Sequence, residues 1–165
     1  MPDKAFIDTS IWLALTLSNE RRHQEIVDLL SKLQQNHTTL FTSNDIIDET
    51  VTRLIYDSNW PVAKKFIDLF RNSLNLHALT LFWTDEQSQT EAFDLLEKYS
   101  DHKLSLTDAT SIIHMKRFRI RTILTLDSDF AKIGLTTLPN PVRSYSAHEV
   151  KEFLEEDKKQ GREST

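Results

Sequence analysis

Five acidic residues stand where carboxylates can do chemistry, and Asp8 is the most telling. It closes the apolar run Ala5-Phe6-Ile7 and is followed by Thr9-Ser10 and then Ile11-Trp12-Leu13-Ala14-Leu15. A carboxylate at the carboxyl end of a buried strand, at a strand-to-helix turn, lies where open α/β sheets bind ligands. Burying that charge alone is costly, so a cation or a hydrogen-bond network must compensate it. Glu49 falls one to two turns into the helical stretch after a second apolar run, and Asp108 in the first turn of a stretch opened by Ser105. Asp127 and Asp129 follow the β-branched run 121–126. In a parallel sheet all five positions share the carboxyl edge of the strands, so acids distant in sequence converge. Two carboxylates about 4 Å apart repel by roughly 4 kcal/mol at an effective dielectric of about 20. A divalent cation removes that penalty. Hard oxygen donors in a chain with no cysteine select Mg²⁺ or Mn²⁺. Such an ion lowers the pKa of bound water and stabilises charge on a phosphate, so the implied chemistry is metal-dependent phosphodiester hydrolysis.

Each acid also has a plain structural reading. Asp8 can bond the turn of Thr9 and Ser10. Asp108 can complete a capping box with Ser105. Glu49 can simply favour the helix dipole with Asp45 and Asp48, and Asp127 and Asp129 can be ordinary turn residues. Joint placement after successive strands is what favours chemistry.

The elements that must hold these acids alternate along the chain. Residues 4–7 and 39–42 read as strands, 121–126 as a fourth, and the imperfect alternation of 76–82 as a third, with 135–138 as a fifth. Ser10 is expected to cap a helix through Leu17. Ile26, Leu29, Leu30 and Leu33 recur at helical spacing, as do Ile46, Ile47, Val51, Leu54 and Ile55 after Ser43. Asn59-Trp60-Pro61 restarts a helix with proline in its first turn. Thr84 with Gln87, Ser105 with Asp108, and Ser146 with Glu149 read as capping boxes. The expected fold class is α/β: a three-layer sandwich with a mainly parallel central sheet flanked by helices. Residues 1–143 are expected to form the domain, and 144–165 a C-terminal helical extension packed on it with a frayed end.

Composition narrows the field. The 165 residues suit one domain, and with 2 Gly and 4 Pro long flexible linkers are not expected. No apolar run approaches the roughly 20 residues needed to span a bilayer, and residues 1–4 have no signal-peptide form. A cytoplasmic protein is the expectation. The net charge of -5 argues against a broad basic nucleic-acid face but leaves room for a local basic rim or a basic partner.

The ordered segments Phe6-Ile7-Asp8-Thr9-Ser10, Thr42-Ser43 leading to Asp48-Glu49-Thr50, Leu104-Ser105-Leu106-Thr107-Asp108-Ala109 and Thr125-Leu126-Asp127-Ser128-Asp129-Phe130 resemble the PIN-domain family, in particular its small VapC-type toxins. The resemblance spans roughly residues 4–140. It implies a PIN fold, Mg²⁺ or Mn²⁺ dependence, an RNA substrate, a homodimer, and a cognate antitoxin that inserts a peptide near the active site. Position by position, Asp8, Glu49 and Asp108 match the three core acids. Either Asp127 or Asp129 supplies the fourth, with Asp127 favoured because it directly follows the strand. Thr9 or Ser10, and Thr107, match the hydroxyls around the metal.

Arg21, Arg22 and Arg53 are candidate substrate contacts near the acidic edge. Lys116, Arg117, Arg119 and Arg121 form a second basic cluster, but it precedes its strand and so belongs at the opposite edge. A lone histidine is more often structural than a ligand, so neither His102 nor His114 is placed at the site. The alternative to a ribonuclease is an inactive PIN-like RNA-binding or interaction module. A phosphoaspartyl enzyme ranks below both: a dehalogenase-type phosphatase wants a second Asp where Ser10 stands, and a receiver domain wants paired acids before its first helix.

Overall fold

Apolar runs bounded by polar turns put the central strands of this chain wholly inside. Ala5, Phe6, Ile7, Ile123 and Leu124 are at most 1% exposed. The computed structural model describes residues 1–140, so the expected extension over 144–165 and its Ser146–Glu149 cap lie outside the described residues. Within them, β1 (Lys4–Ile7), β2 (Thr39–Ser43), β3 (Thr80–Phe82), β4 (Thr122–Leu124) and β5 (Thr136–Leu138) form one parallel sheet in the order β3-β2-β1-β4-β5. Between them run α1 (Thr9–Thr16), α2 (His23–Gln35), α3 (Asn44–Asp57), α4 (Trp60–Asn75), α5 (Glu86–Lys98), α6 (Leu106–Arg117) and the short α7 (Asp129–Lys132). The right-handed crossover rule, applied to this order, puts α1 and α2 on one face and α5 and α6 on the other. The expected α/β sandwich is therefore the observed one. No helix among the described residues is long and apolar enough to cross a membrane.

Side-chain shape closes the layers. Trp12 of α1 meets Phe66 of α4 edge-on at 5.6 Å, and Phe41 of β2 stacks on Phe82 of β3 at 5.1 Å. Small residues, Ala92 and Ala109, let α5 and α6 approach closely around Ile113. The strand order reverses between β1 and β4, which are adjacent. Their carboxyl ends thus flank a topological switch point, the crevice where such sheets bind ligands.

The helices return to the amino edge by one repeated device. In α2, α4, α6 and α7 the two residues after the last turn bond back to it: His37 N–H to Gln34 O and Thr38 N–H to Leu33 O, and equivalently at His77–Ala78, Arg119–Ile120 and Gly134–Leu135. This double bond pattern needs a left-handed residue at its centre. Glycine supplies it only at Gly134 (φ 89°). His37, His77 and Arg119 adopt φ of 57°, 53° and 55° despite their Cβ atoms. All three are exposed, so a glycine there relieves strain without losing a buried contact. We expect His37→Gly and His77→Gly each to raise stability by about 0.5–1 kcal/mol, and Gly134→Ala to lower it, in urea denaturation.

Two local expectations are corrected. The third strand is shorter than 76–82, because residues 76–78 form the turn just described and only Thr80–Phe82 pairs with β2. Thr84 does not cap α5. Asp85 does, accepting from Ser88 N–H at 2.7 Å, while Thr84 is drawn into tertiary hydrogen bonds.

Candidate active site

The turn from β1 into α1 is closed by Asp8 itself, not by Ser10 as expected: Asp8 is the N-cap of α1. Its Oδ2 accepts from Ser10 N–H (3.3 Å), Ser10 Oγ (2.7 Å) and Thr125 Oγ1 (2.9 Å). Ser10 Oγ in turn accepts from Leu126 N–H at 2.9 Å, and Thr125 Oγ1 accepts from Asp127 N–H at 3.0 Å. Three donors converge on Oδ2, the Thr9 backbone N–H also favours the carboxylate, and Oδ1 has no side-chain hydrogen-bond partner among the described residues. The plain structural reading of Asp8 therefore holds, with one oxygen serving the turn, and it leaves the second oxygen without a side-chain partner. The residue is 5% exposed, and burial pushes its carboxyl above the usual range despite the Ser10 and Thr125 bonds.

Asp108 repeats the pattern. Ser105 caps α6 and the capping box is complete, with Ser105 N–H on Asp108 Oδ2 at 2.7 Å and Asp108 N–H on Ser105 Oγ at 3.1 Å. Its Oδ1 likewise has no hydrogen-bond partner among the described residues. Burial first, then the charges of Asp8 and Asp127, push its carboxyl to about 6. Glu49 lies in the second turn of α3, which Ser43 caps through Ile46 N–H. Burial and the Asp8 charge raise its pKa, while the hydroxyls of Thr107 and Thr9 and the charge of Arg53 oppose the rise. The Thr9 hydroxyl is nonetheless buried without a hydrogen-bond partner of ordinary geometry.

The fourth acid is separated by its partners. Asp127 accepts from Asp129 N–H at 2.8 Å, and its charge is felt at Asp108. Asp129 turns to Lys132 in an ion pair within α7. The geometry thus groups Asp8, Glu49, Asp108 and Asp127 electrostatically at the switch point and leaves Asp129 neutralised beside them. The four are not closed into a cage: no three His, Cys, Asp or Glu side chains among the described residues come together as a finished metal-ligand set. Their chemistry still fits a hard cation. Asp8, Glu49 and Asp108, all with raised proton affinity and two of them with an oxygen free of side-chain partners, join Asp127 and an unpaired buried hydroxyl in an all-oxygen donor set.

The PIN domain family profile matches residues 5–135. The chain belongs to the PIN domain family. Solved structures agree on the fold. VapC20 of Mycobacterium tuberculosis, a sarcin–ricin-loop-cleaving toxin, has a TM-score of 0.68 at 24% identity over 80% of this chain and 96% of that one. VapBC2 of Rickettsia felis, bound to promoter DNA, gives 0.61 at 16% identity over 81% and 96%. A toxin–antitoxin complex from Klebsiella pneumoniae gives 0.56 at 20% identity over 84% and 99%. No curated protein sequence matches significantly.

Around the acids of this PIN domain the basic residues fall into distinct roles. Arg53 sits between Glu49 (4.0 Å) and Asp57 (3.6 Å), one turn beyond Glu49. It lines a cavity of about 480 Å³ with Leu13, Leu17, Val62 and Lys65. Arg22 is held by Glu25 in a two-pronged pair, and Arg21 has no ion-pair partner among the described residues. The second basic cluster is engaged in structural contacts: Lys4, which opens β1, donates to Phe118 O, and Arg117 pairs with Glu91 and with Asp85, the N-cap of α5 just after β3. His114 is buried and structural, and His102 packs edge-on against Tyr99 and lies 3.8 Å from Asp101. Sequence reasoning passed over Thr125 and Thr84. Thr125 had a signal, a hydroxyl two residues before an acid at a strand end. Its role becomes visible only once β4 is known to lie beside β1.

Proposed function

We propose that this PIN domain is a metal-dependent endoribonuclease, the toxin of a type II toxin–antitoxin pair. The observation that carries it is the pair of carboxylates, Asp8 and Asp108, each using one oxygen for the fold and leaving the other without a side-chain partner, with Glu49 and Asp127 coupled to them by charge. Asp8, Glu49, Asp108 and Asp127 would hold Mg²⁺ or Mn²⁺, with Asp129 as a reserve ligand. When bound, the ion supplies acidified water and charge stabilisation at a phosphate. The chain does the rest. Ser10 and Thr125 fix the rotamer of Asp8, and Ser105 fixes that of Asp108. Thr9, with its unpaired hydroxyl, and Thr107 flank Glu49 and orient its carboxylate. Arg53 and Arg21 contact phosphates, and Arg22 supports them from its pair with Glu25.

The neighbours solved as toxin–antitoxin assemblies support a protein partner for this chain. Tyr56 and Trp60, exposed on the α3–α4 hairpin, offer that antitoxin or a second copy of the chain an aromatic surface. The working compartment is the cytoplasm, where RNA and antitoxin meet. The test is induced expression in a bacterial host with the ends of tRNA and rRNA mapped. Growth arrest with discrete new RNA ends is expected. Normal growth with intact RNA, at confirmed levels of folded protein, would favour the inactive binding module instead.

A further inference from the structure

We infer that Thr84 is a positioning residue for the acid centre, acting through Asp45 and His114 to fix the spacing of α3 and α6. The inference rests on the metal-nuclease reading above. Glu49 rides on α3 and Asp108 on α6, so the distance between these helices sets the distance between two candidate ligands. Near the acids the two helices meet where the Thr107 hydroxyl reaches Glu49. A cavity of about 390 Å³, lined by Asp48, Gln89, Leu106, Thr107 and Thr110, opens between the two helices beside Thr84. Without a fixed spacing, the mutual repulsion of bare carboxylates would push the helices apart.

A chain of hydrogen bonds spans the gap. Thr84 N–H donates to Asn44 Oδ1 at 2.7 Å, and Asn44 Nδ2 donates to Asp45 Oδ1 at 3.0 Å. Thr84 Oγ1 donates to Asp45 Oδ2 at 2.6 Å and lies 3.0 Å from His114 Nε2. The direction of these bonds follows from proton count. A carboxylate only accepts, so the single hydroxyl proton of Thr84 goes to Asp45. His114 Nε2 must then carry a proton and donate it to Thr84. His114 cannot swing away, because its ring is 2% exposed and stacks on Phe82 at 5.4 Å. One hydroxyl thus ties the first turn of α3 to the last turn of α6. Glu49 is one turn beyond Asp45. Asp108 is six residues before His114, about 9 Å along the helix.

The absence of native cysteines allows a direct test. Spin labels are placed through Tyr56→Cys on α3 and Lys116→Cys on α6, both exposed positions, and the distance distribution is measured without metal. Mn²⁺ affinity is measured by calorimetry on the unlabelled proteins. Thr84→Val is expected to broaden or lengthen the distance and to weaken Mn²⁺ about tenfold or more, and Thr84→Ser to keep affinity within about threefold. RNA KM should change less than kcat. A folded Thr84→Val protein with unchanged distance and unchanged Mn²⁺ affinity overturns the inference, as does a loss that Thr84→Ser fails to rescue. Failure of the underlying reading looks different: wild type then binds no Mn²⁺ while the distance still responds to Thr84→Val.

Discussion

Asp8→Asn is expected to lower RNA cleavage by about a thousandfold or more while leaving the fold as stable as before. The argument starts from the two oxygens of Asp8. Asn can present its carbonyl oxygen to Ser10 N–H, Ser10 Oγ and Thr125 Oγ1, so the α1 cap survives. Its amide nitrogen then occupies the position of Oδ1, where it repels a cation. The substitution also removes a buried charge whose desolvation raises the pKa of Asp8, so metal-free stability should hold or rise. Asp8→Ala differs in one respect. It loses the cap and strands the Ser10 and Thr125 hydroxyls, and should cost about 1–3 kcal/mol of stability besides activity. Cleavage assays with purified RNA and thermal melts of the three proteins separate the roles. Undiminished cleavage by Asp8→Asn, from a clean preparation, would remove Asp8 from the site.

That a single residue is both cap and candidate ligand explains how much of the site was legible in advance. Parallel α/β topology sends every strand-to-helix turn to one edge. An acid after each apolar run is therefore enough to place Asp8, Glu49, Asp108 and Asp127 at one edge as candidates, without any knowledge of strand order. Ser43, Asn59 and Ser105 were legible as caps because their side chains have one local donor each to satisfy, and they do so. Where two candidates stand side by side, local pattern is degenerate. Thr84 and Asp85 both precede α5, and Asp8 and Ser10 both flank the start of α1. Tertiary context decided each: Thr84 is claimed by Asp45 and His114, and Ser10 by Asp8 and Leu126. The third strand was overextended for a related reason. Leu76 and Ala78 look like strand residues, but His77 takes a left-handed conformation that the sequence, lacking glycine there, does not announce. Asp127 and Asp129 also look alike in sequence and differ only in their partners, since Asp129 pairs with Lys132.

The pH dependence of stability should reverse when metal is added, and Asp108→Asn should flatten it. In the folded, metal-free chain the Asp108 carboxyl lies at about 6, against an ordinary 3.8. The folded state then holds a proton that the unfolded state has released, so stability is greatest at the acid end of this window. It falls as pH rises from about 4 to 6 and stays low above. Full burial would make the loss roughly 3 kcal/mol, and partial exposure of Asp108 reduces it to about 1–2 kcal/mol. Asp8 and Glu49, raised in the same direction, add to the trend. A divalent cation binds the deprotonated acids, so its affinity should grow about tenfold per pH unit below 6 and level off above. At a hundredfold excess over Kd it contributes about 2.7 kcal/mol, enough to outweigh the apo penalty. The Asp108 contribution, read as the melting temperature of wild type minus that of Asp108→Asn, should therefore decline in EDTA between pH 4 and 7 and climb in saturating Mg²⁺. In Asp108→Asn the Ser105 N–H still finds an oxygen, so the cap remains and only the charge is gone. That variant should melt higher than wild type at pH 8 in EDTA and gain little from Mg²⁺. Parallel pH profiles with and without Mg²⁺ in the wild type would mean that these acids are held apart for some purpose other than a cation.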